Sequence, residues 1–345
     1  MQTPSTPSDS TSRDQREPGT VTDAGNDPAS VRPISSVALF SIGMGAALLG
    51  LLPWLVTGMR LPLQNLWAEA TLPTDMPLAL MPFSQYLITL IVSVLIVGAG
   101  VAGLTARMLG ARVSRRGTGA LLCGVLLIQT IAITQSAIVV GFGLRSDNWA
   151  AFYLTALVLV AALSIAIGAG ILLLIARARV PGAAIALSIV AVELGTWLGR
   201  LVVSIFTPAV LYFDDTTQRN LFAEGMGISE VLLAAVRWTP AILIGVIIAW
   251  CGFRTVGRVI ASVTGLLILW VGPALVTAIS AAAGTRVLAR HPGDMVEYGA
   301  GVFVLVLKEP NLSLLPLLVA AGVGIVGAVV VALVRPKRST THVGE

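Results

Sequence analysis

Charge is what this chain has least of: Asp, Glu, Lys and Arg together make up 11% of 345 residues, against 56% hydrophobic residues and a mean hydropathy of +0.91. A soluble domain cannot be built at that ratio, because about a quarter of its residues are normally charged. Cysteine is nearly missing as well. Cys123 and Cys251 both fall in apolar runs, so no disulfide framework exists. Histidine is equally scarce, with His291 in a connection and His342 near the end, which leaves no cluster with metal-ligand spacing and no Ser/His or Cys/His pair for nucleophilic catalysis. The chain is therefore read as needing no cofactor and as not an enzyme.

Lysine occurs twice against 20 arginines, a bias of GC-rich bacterial coding, and the expected setting is a bacterial plasma membrane. The formal charge of +5 does not point to nucleic acid, since the basic residues sit in short connections between apolar runs. Residues 1–33 are rich in Ser, Thr, Pro, Asp and Gly, bury nothing and are expected to form a disordered cytoplasmic tail. They lack the basic n-region and short apolar core of a cleavable signal, so the first apolar run is expected to stay as a helix.

What the chain has in abundance is apolar runs of about 20 residues, the length that crosses roughly 30 Å of hydrocarbon. They fall near 37–59, 85–106, 117–144, 150–176, 182–206, 231–254, 257–282 and 314–334. The predicted fold is thus an all-α integral membrane protein of about eight transmembrane helices, with a polytopic domain at 34–335 and a short cytoplasmic tail at 336–345. Counting Lys and Arg in the connections gives 14 on one side and 6 on the other, so both termini are expected in the cytoplasm. The outer side carries ten of the 17 acidic residues, Asp214 and Asp215 among them, in longer connections that suggest recognition there. Residues 302–307 are apolar but too short to span, and are expected to lie in the interface or dip against protein.

Two stretches, Gly98-Ala-Gly100-Val-Ala-Gly103 and Gly322-Val-Gly324-Ile-Val-Gly327, match G-x-G-x-x-G. Both lie inside apolar runs without the strand that a dinucleotide site requires, so they are read as close-packing surfaces. The outward-to-inward runs also echo one another, with Gly98-Ala-Gly100 leading to Ala106-Arg107 and Gly168-Ala-Gly170 leading to Ala176-Arg177, which raises an internal duplication of the kind many transporters carry.

Glu193 is the only acidic residue inside any predicted span, and Arg200 follows two turns later on the same face. About twelve Leu, Ile, Val and Phe residues from Ala183 to Phe206 favour insertion by roughly 4 to 7 kcal/mol in total, and two central charges at about 2.5 to 3.5 kcal/mol each cancel most of it. Arg200 lies about 10 Å nearer the outer surface than Glu193, too far for a tight direct bridge. Trp197 shares their face. Arg237, at comparable depth in the next span, precedes Pro240, which removes a hydrogen bond to the Val236 carbonyl and should kink the helix there. Gln129 and Gln135 in the third span add polar groups at similar depths.

Together Glu193, Trp197, Arg200, Arg237, Gln129 and Gln135 form the expected substrate- or proton-binding site. The function read from them is a membrane permease, or substrate-binding membrane protein, for a small anionic or zwitterionic solute. The arginines would attract the solute and Glu193 would exchange a proton. The alternative is a non-catalytic membrane scaffold of the cell envelope or division machinery, binding membrane protein partners through its tails. An intramembrane enzyme on lipid-linked substrates, using the Asp214-Asp215 dyad, ranks third.

Overall fold

The computed structural model of the chain describes residues 33–62, 66–72, 75–206, 216–285 and 291–334, without the side chains of 216–224, 292 and 312. The expected tails, the Asp214-Asp215 dyad and His342 lie outside the described residues. Every regular element among the described residues is helical: α1 Ser36–Val56, α2 Ile88–Leu109, α3 Arg115–Gly143, α4 Asn148–Arg177, α5 Val180–Phe206, α6 Thr216–Val236, α7 Thr239–Cys251, α8 Val256–Gly284, α9 Pro292–Lys308 and α10 Pro310–Val334. Eight helical stretches are long and apolar enough to cross a membrane: α1, α2, α3, α4, α5, the α6–α7 stretch Gly225–Cys251, α8, and Ser313–Val334 of α10. The protein is a multi-pass membrane protein. An even number of spans returns both ends to one side, and the arginine count makes that side the cytoplasm.

Local sequence explains where the helices start and stop. Ser35, Ser114 and Asp147 accept hydrogen bonds at the first turns of α1, α3 and α4, from Ala38, Gly117 and Ala150. Arg177 ends α4 and turns back, its guanidinium donating to the Val113 and Ser114 carbonyls and to Thr118 Oγ1, while Arg107 at the end of α2 donates to the Ile175 and Ala178 carbonyls. The repeated Ala-Arg ending is thus a pair of clamps on the last carbonyls of α4 and on the turn between α2 and α3.

Glycine sets which helices touch. A side chain on Gly103 would meet the Leu172 backbone, one on Gly50 the Val94 carbonyl and Gly98, and one on Gly245 Val323 and the Ala320 carbonyl. Residues 245, 248 and 249 of α7 meet 320–323, 324 and 327 of α10 in ascending order, so α7 and α10 run parallel. Both pass from outside to inside, and α9 therefore does not cross the bilayer. It packs its Gly299 against Ala278 and Ala282 near the outer end of α8, which places residues 302–307 in that outer helix.

The connection between α1 and α2 folds inward. Leu61, Met76, Ala79, Met81 and Phe83 are all fully buried, packed with Trp54, Ile91 and Val94 in the largest core cluster. Its backbone is held from the bundle: Trp54 Nε1 donates to the Ala79 carbonyl, Met81 N to Ser136 Oγ, and Gln85 N to the Tyr153 hydroxyl. Trp67 sits over Gly143, where any larger residue would collide with the indole.

One packing pattern occurs twice. In the first four spans α1 lies along α3, α2 along α4, and α1 against α2. In the last four α5 lies along α8, α7 along α10, and α5 against α7. The close approaches correspond in order: Gly50 with Gly98, then Gly103, Gly110 and Gly124 in the first half; Gly195 with Pro240, then Gly245, Gly252 and Gly265 in the second. Gly110 and Gly252, which end α2 and α7, both have positive φ, 54° and 65°, and each is followed two residues later by an arginine and then by the Ser or Thr that starts the next helix. Two halves of like topology and like membrane orientation are the parallel-repeat arrangement of several transporter folds.

Candidate functional site

The three charged residues do not converge. Helical spacing puts Glu193, Trp197, Arg200 and Ser204 on one face of α5, and that face packs against the first half of the molecule. Trp197 Nε1 donates to the Gly50 carbonyl at 2.7 Å and Ser204 Oγ to the Pro53 carbonyl at 3.1 Å, both on α1. Glu193 is 8% exposed, and its Oε2 is buried with no hydrogen-bond partner among the described residues. Arg200 is half-buried and makes no side-chain hydrogen bond or ion pair with another described residue. The face holding Glu193 is the seam between the halves, where α5 meets α1, α2 and α4.

Arg237 stands on the other side of α5. It occupies the break between α6 and α7, with its guanidinium 4.9 Å over the Trp238 ring. There it lines a cavity of about 330 Å³ between α5, α7, α8 and α10, to which α5 contributes Val192, Gly195 and Thr196; Glu193, Trp197 and Arg200 are not in its wall. Depth along a helix can be read from residue count. Which way a helix turns its face is set by packing between helices. Gly195 lets Pro240 of α7 approach α5 from the side away from Glu193.

Three prolines face this cavity, Pro240, Pro273 and Pro316, one from each of α7, α8 and α10. None has an N–H, so the carbonyls four residues earlier, those of Val236, Leu269 and Leu312, lose their helical donors. Such carbonyls are tolerated at membrane depth where they line a protein cavity. The wall, which includes Val236 and Leu269, thus combines a cation, the Thr196 and Thr277 hydroxyls and the Asn311 amide beside apolar surface. A group of this kind can hold an anion on Arg237 and hydrogen-bond donors on the freed carbonyls. At the kink expected beside Pro240, two turn residues, Arg237 and Trp238, separate α6 from α7.

Gln129 and Gln135 lie elsewhere. Gln129 is 2% exposed and donates to the Leu95 carbonyl of α2. Gln135 accepts from Leu80 N and donates to the Leu78 carbonyl, so its amide holds the inward-folded outer connection. Sequence reasoning missed Thr196, Thr277 and Asn311. The available signal was the recurrence of proline in three successive outer half-helices. No group of three or more His, Cys, Asp or Glu among the described residues is arranged to hold a metal ion. No known protein family matches the chain, and no match is found among curated proteins or solved structures.

Proposed function

We propose that the protein is a permease of the bacterial plasma membrane, carrying a small zwitterionic or anionic solute through the cavity at Arg237 and coupling that movement to proton exchange at Glu193. The observation that carries the reading is the double role of α5, one face of which lines the cavity while the other buries a carboxyl with an unpartnered oxygen at the seam between two like halves. A carboxyl in hydrocarbon costs free energy, and a membrane protein that keeps one without a partner uses it. Arg237 serves as the anchor for a carboxylate or phosphate group, with Trp238 restricting its swing. The freed carbonyls at the three prolines receive an ammonium or hydroxyl group of the solute. Motion of α5 relative to α1 then links occupancy of the cavity to the environment of Glu193, as rocking of one repeat against the other would require. In this reading no covalent chemistry takes place.

The test is accumulation in proteoliposomes under an imposed pH gradient, screened over small amino acids, hydroxy acids and phosphate esters. The wild type is expected to concentrate at least one of them. R237Q is expected to lose solute binding, and E193Q to retain binding and downhill exchange while losing pH-driven accumulation. Accumulation by E193Q equal to that of the wild type would refute the coupling.

A further inference from the structure

The duplicated architecture places one pocket twice at the inner face, once in each half, and the two copies differ. In the first half the pocket lies where α2 ends, α3 begins and α4 ends, and Arg107 and Arg177 line it with their guanidiniums committed to protein carbonyls and to Thr118. Its counterpart, of about 360 Å³, lies where α7 ends, α8 begins and α10 ends. The register follows from the glycines. Gly103 rests on Leu172 and Ile175, and Gly245 rests on Ala320 and Val323, so Ile325 takes the place of Arg177. The clamp is missing, and the loop arginines remain. Arg254 and Arg258 both line the second pocket, and neither guanidinium makes a hydrogen bond or ion pair with another described residue.

The rest of the wall is apolar and faces lipid. Ile325 is 57% exposed and Val329 52%, giving α10 an apolar stripe that leads from the pocket toward the bilayer centre. Trp250 borders the pocket, held by Arg107 of the first half, whose guanidinium lies 5.0 Å from the ring centroid. An uncommitted pair of cations at the inner membrane surface, over an apolar groove with an interfacial tryptophan, is complementary to an anionic lipid: phosphate on the arginines, acyl chain along α10.

We infer that this pocket binds the phosphate headgroup of an anionic phospholipid of the inner leaflet, with Arg254 and Arg258 as its ligands. The inference does not depend on any transported solute. It is tested by native mass spectrometry of the purified full-length protein, comparing retention of dioleoyl phosphatidylglycerol with that of dioleoyl phosphatidylcholine. The wild type should prefer phosphatidylglycerol, and R254Q/R258Q should lose that preference by about 100-fold, from two charge-assisted hydrogen bonds to the phosphate. R115Q/R116Q, which removes two exposed inner-face charges outside the pocket, should retain it. Equal retention of the two lipids by the wild type, or equal losses in both double variants, would overturn the assignment. Displacement of phosphatidylglycerol by millimolar inorganic phosphate would also overturn it, reassigning the site to a soluble anion.

Discussion

Replacing Glu193 by leucine should make the protein more stable. The side chain is 8% exposed and its Oε2 has no partner, so the folded state carries an unsatisfied buried acceptor that costs about 1 to 3 kcal/mol. Leucine removes that cost. At a helix centre it also favours insertion by about 0.3 to 0.6 kcal/mol, where a charge opposes it by roughly 2.5 to 3.5. Leucine has one heavy atom fewer than glutamate, but its methyls are larger than carboxylate oxygens, so the substitution opens no cavity. The expected net gain is about 1 to 3 kcal/mol for E193L and less for E193Q, which keeps the volume but brings an amide that must find its own partners. Unfolding by steric trapping in bicelles, with intrinsic tryptophan fluorescence as a second probe, measures it. A loss of more than about 1 kcal/mol in both variants would show that the carboxyl is a structural ligand, and the functional reading of Glu193 would fall with it. Gain of stability with loss of activity is the usual signature of a group kept for function.

The same stability assay separates the glycines. G103A and G245A should each cost about 1 to 3 kcal/mol because backbone or branched side chains stand 2.7 to 3.1 Å from the added carbon, whereas G170A and G322A, which meet nothing, should be neutral or gain up to about 1 kcal/mol. W197F removes a buried donor from the Gly50 carbonyl and should cost about 1 to 2 kcal/mol; no change would mean the seam contact is dispensable. Q135A should raise hydrogen exchange at residues 76–83 with little effect on the centre of α2, because the amide secures Leu78 and Leu80 of the outer connection.

The spans and their direction were legible because a bilayer imposes its thickness on sequence and its charge asymmetry on loops. The helical period also gave the shared face of Glu193, Trp197 and Arg200. What could not be read was azimuth. Residue count gives Arg237 a depth, but Gly195 and Pro240 bring α7 to the side of α5 away from Glu193. The connection near 60–84 reads in sequence as an outer loop, and no periodicity announces that Leu61, Met76, Met81 and Phe83 are buried. Its anchors, Gln135 and Ser136, look in sequence like any polar residues in a span. The sequence echo between 98–107 and 168–177 joins α2 with α4 inside one half, whereas the packing repeat pairs α2 with α7; the halves agree chiefly at glycines, and Gly98 answers to Pro240, so that repeat shows in which backbones touch more than in residue identity.

The account rests on Glu193 lying at a seam that opens to each side in turn. A single cysteine at that position, in a background with C123S and C251A, can be challenged with membrane-impermeant thiol reagents on vesicles of known orientation. The account predicts reaction from both faces, in separate experiments, although the group is buried in the structure described. Reaction from one face only, or from neither, would contradict it.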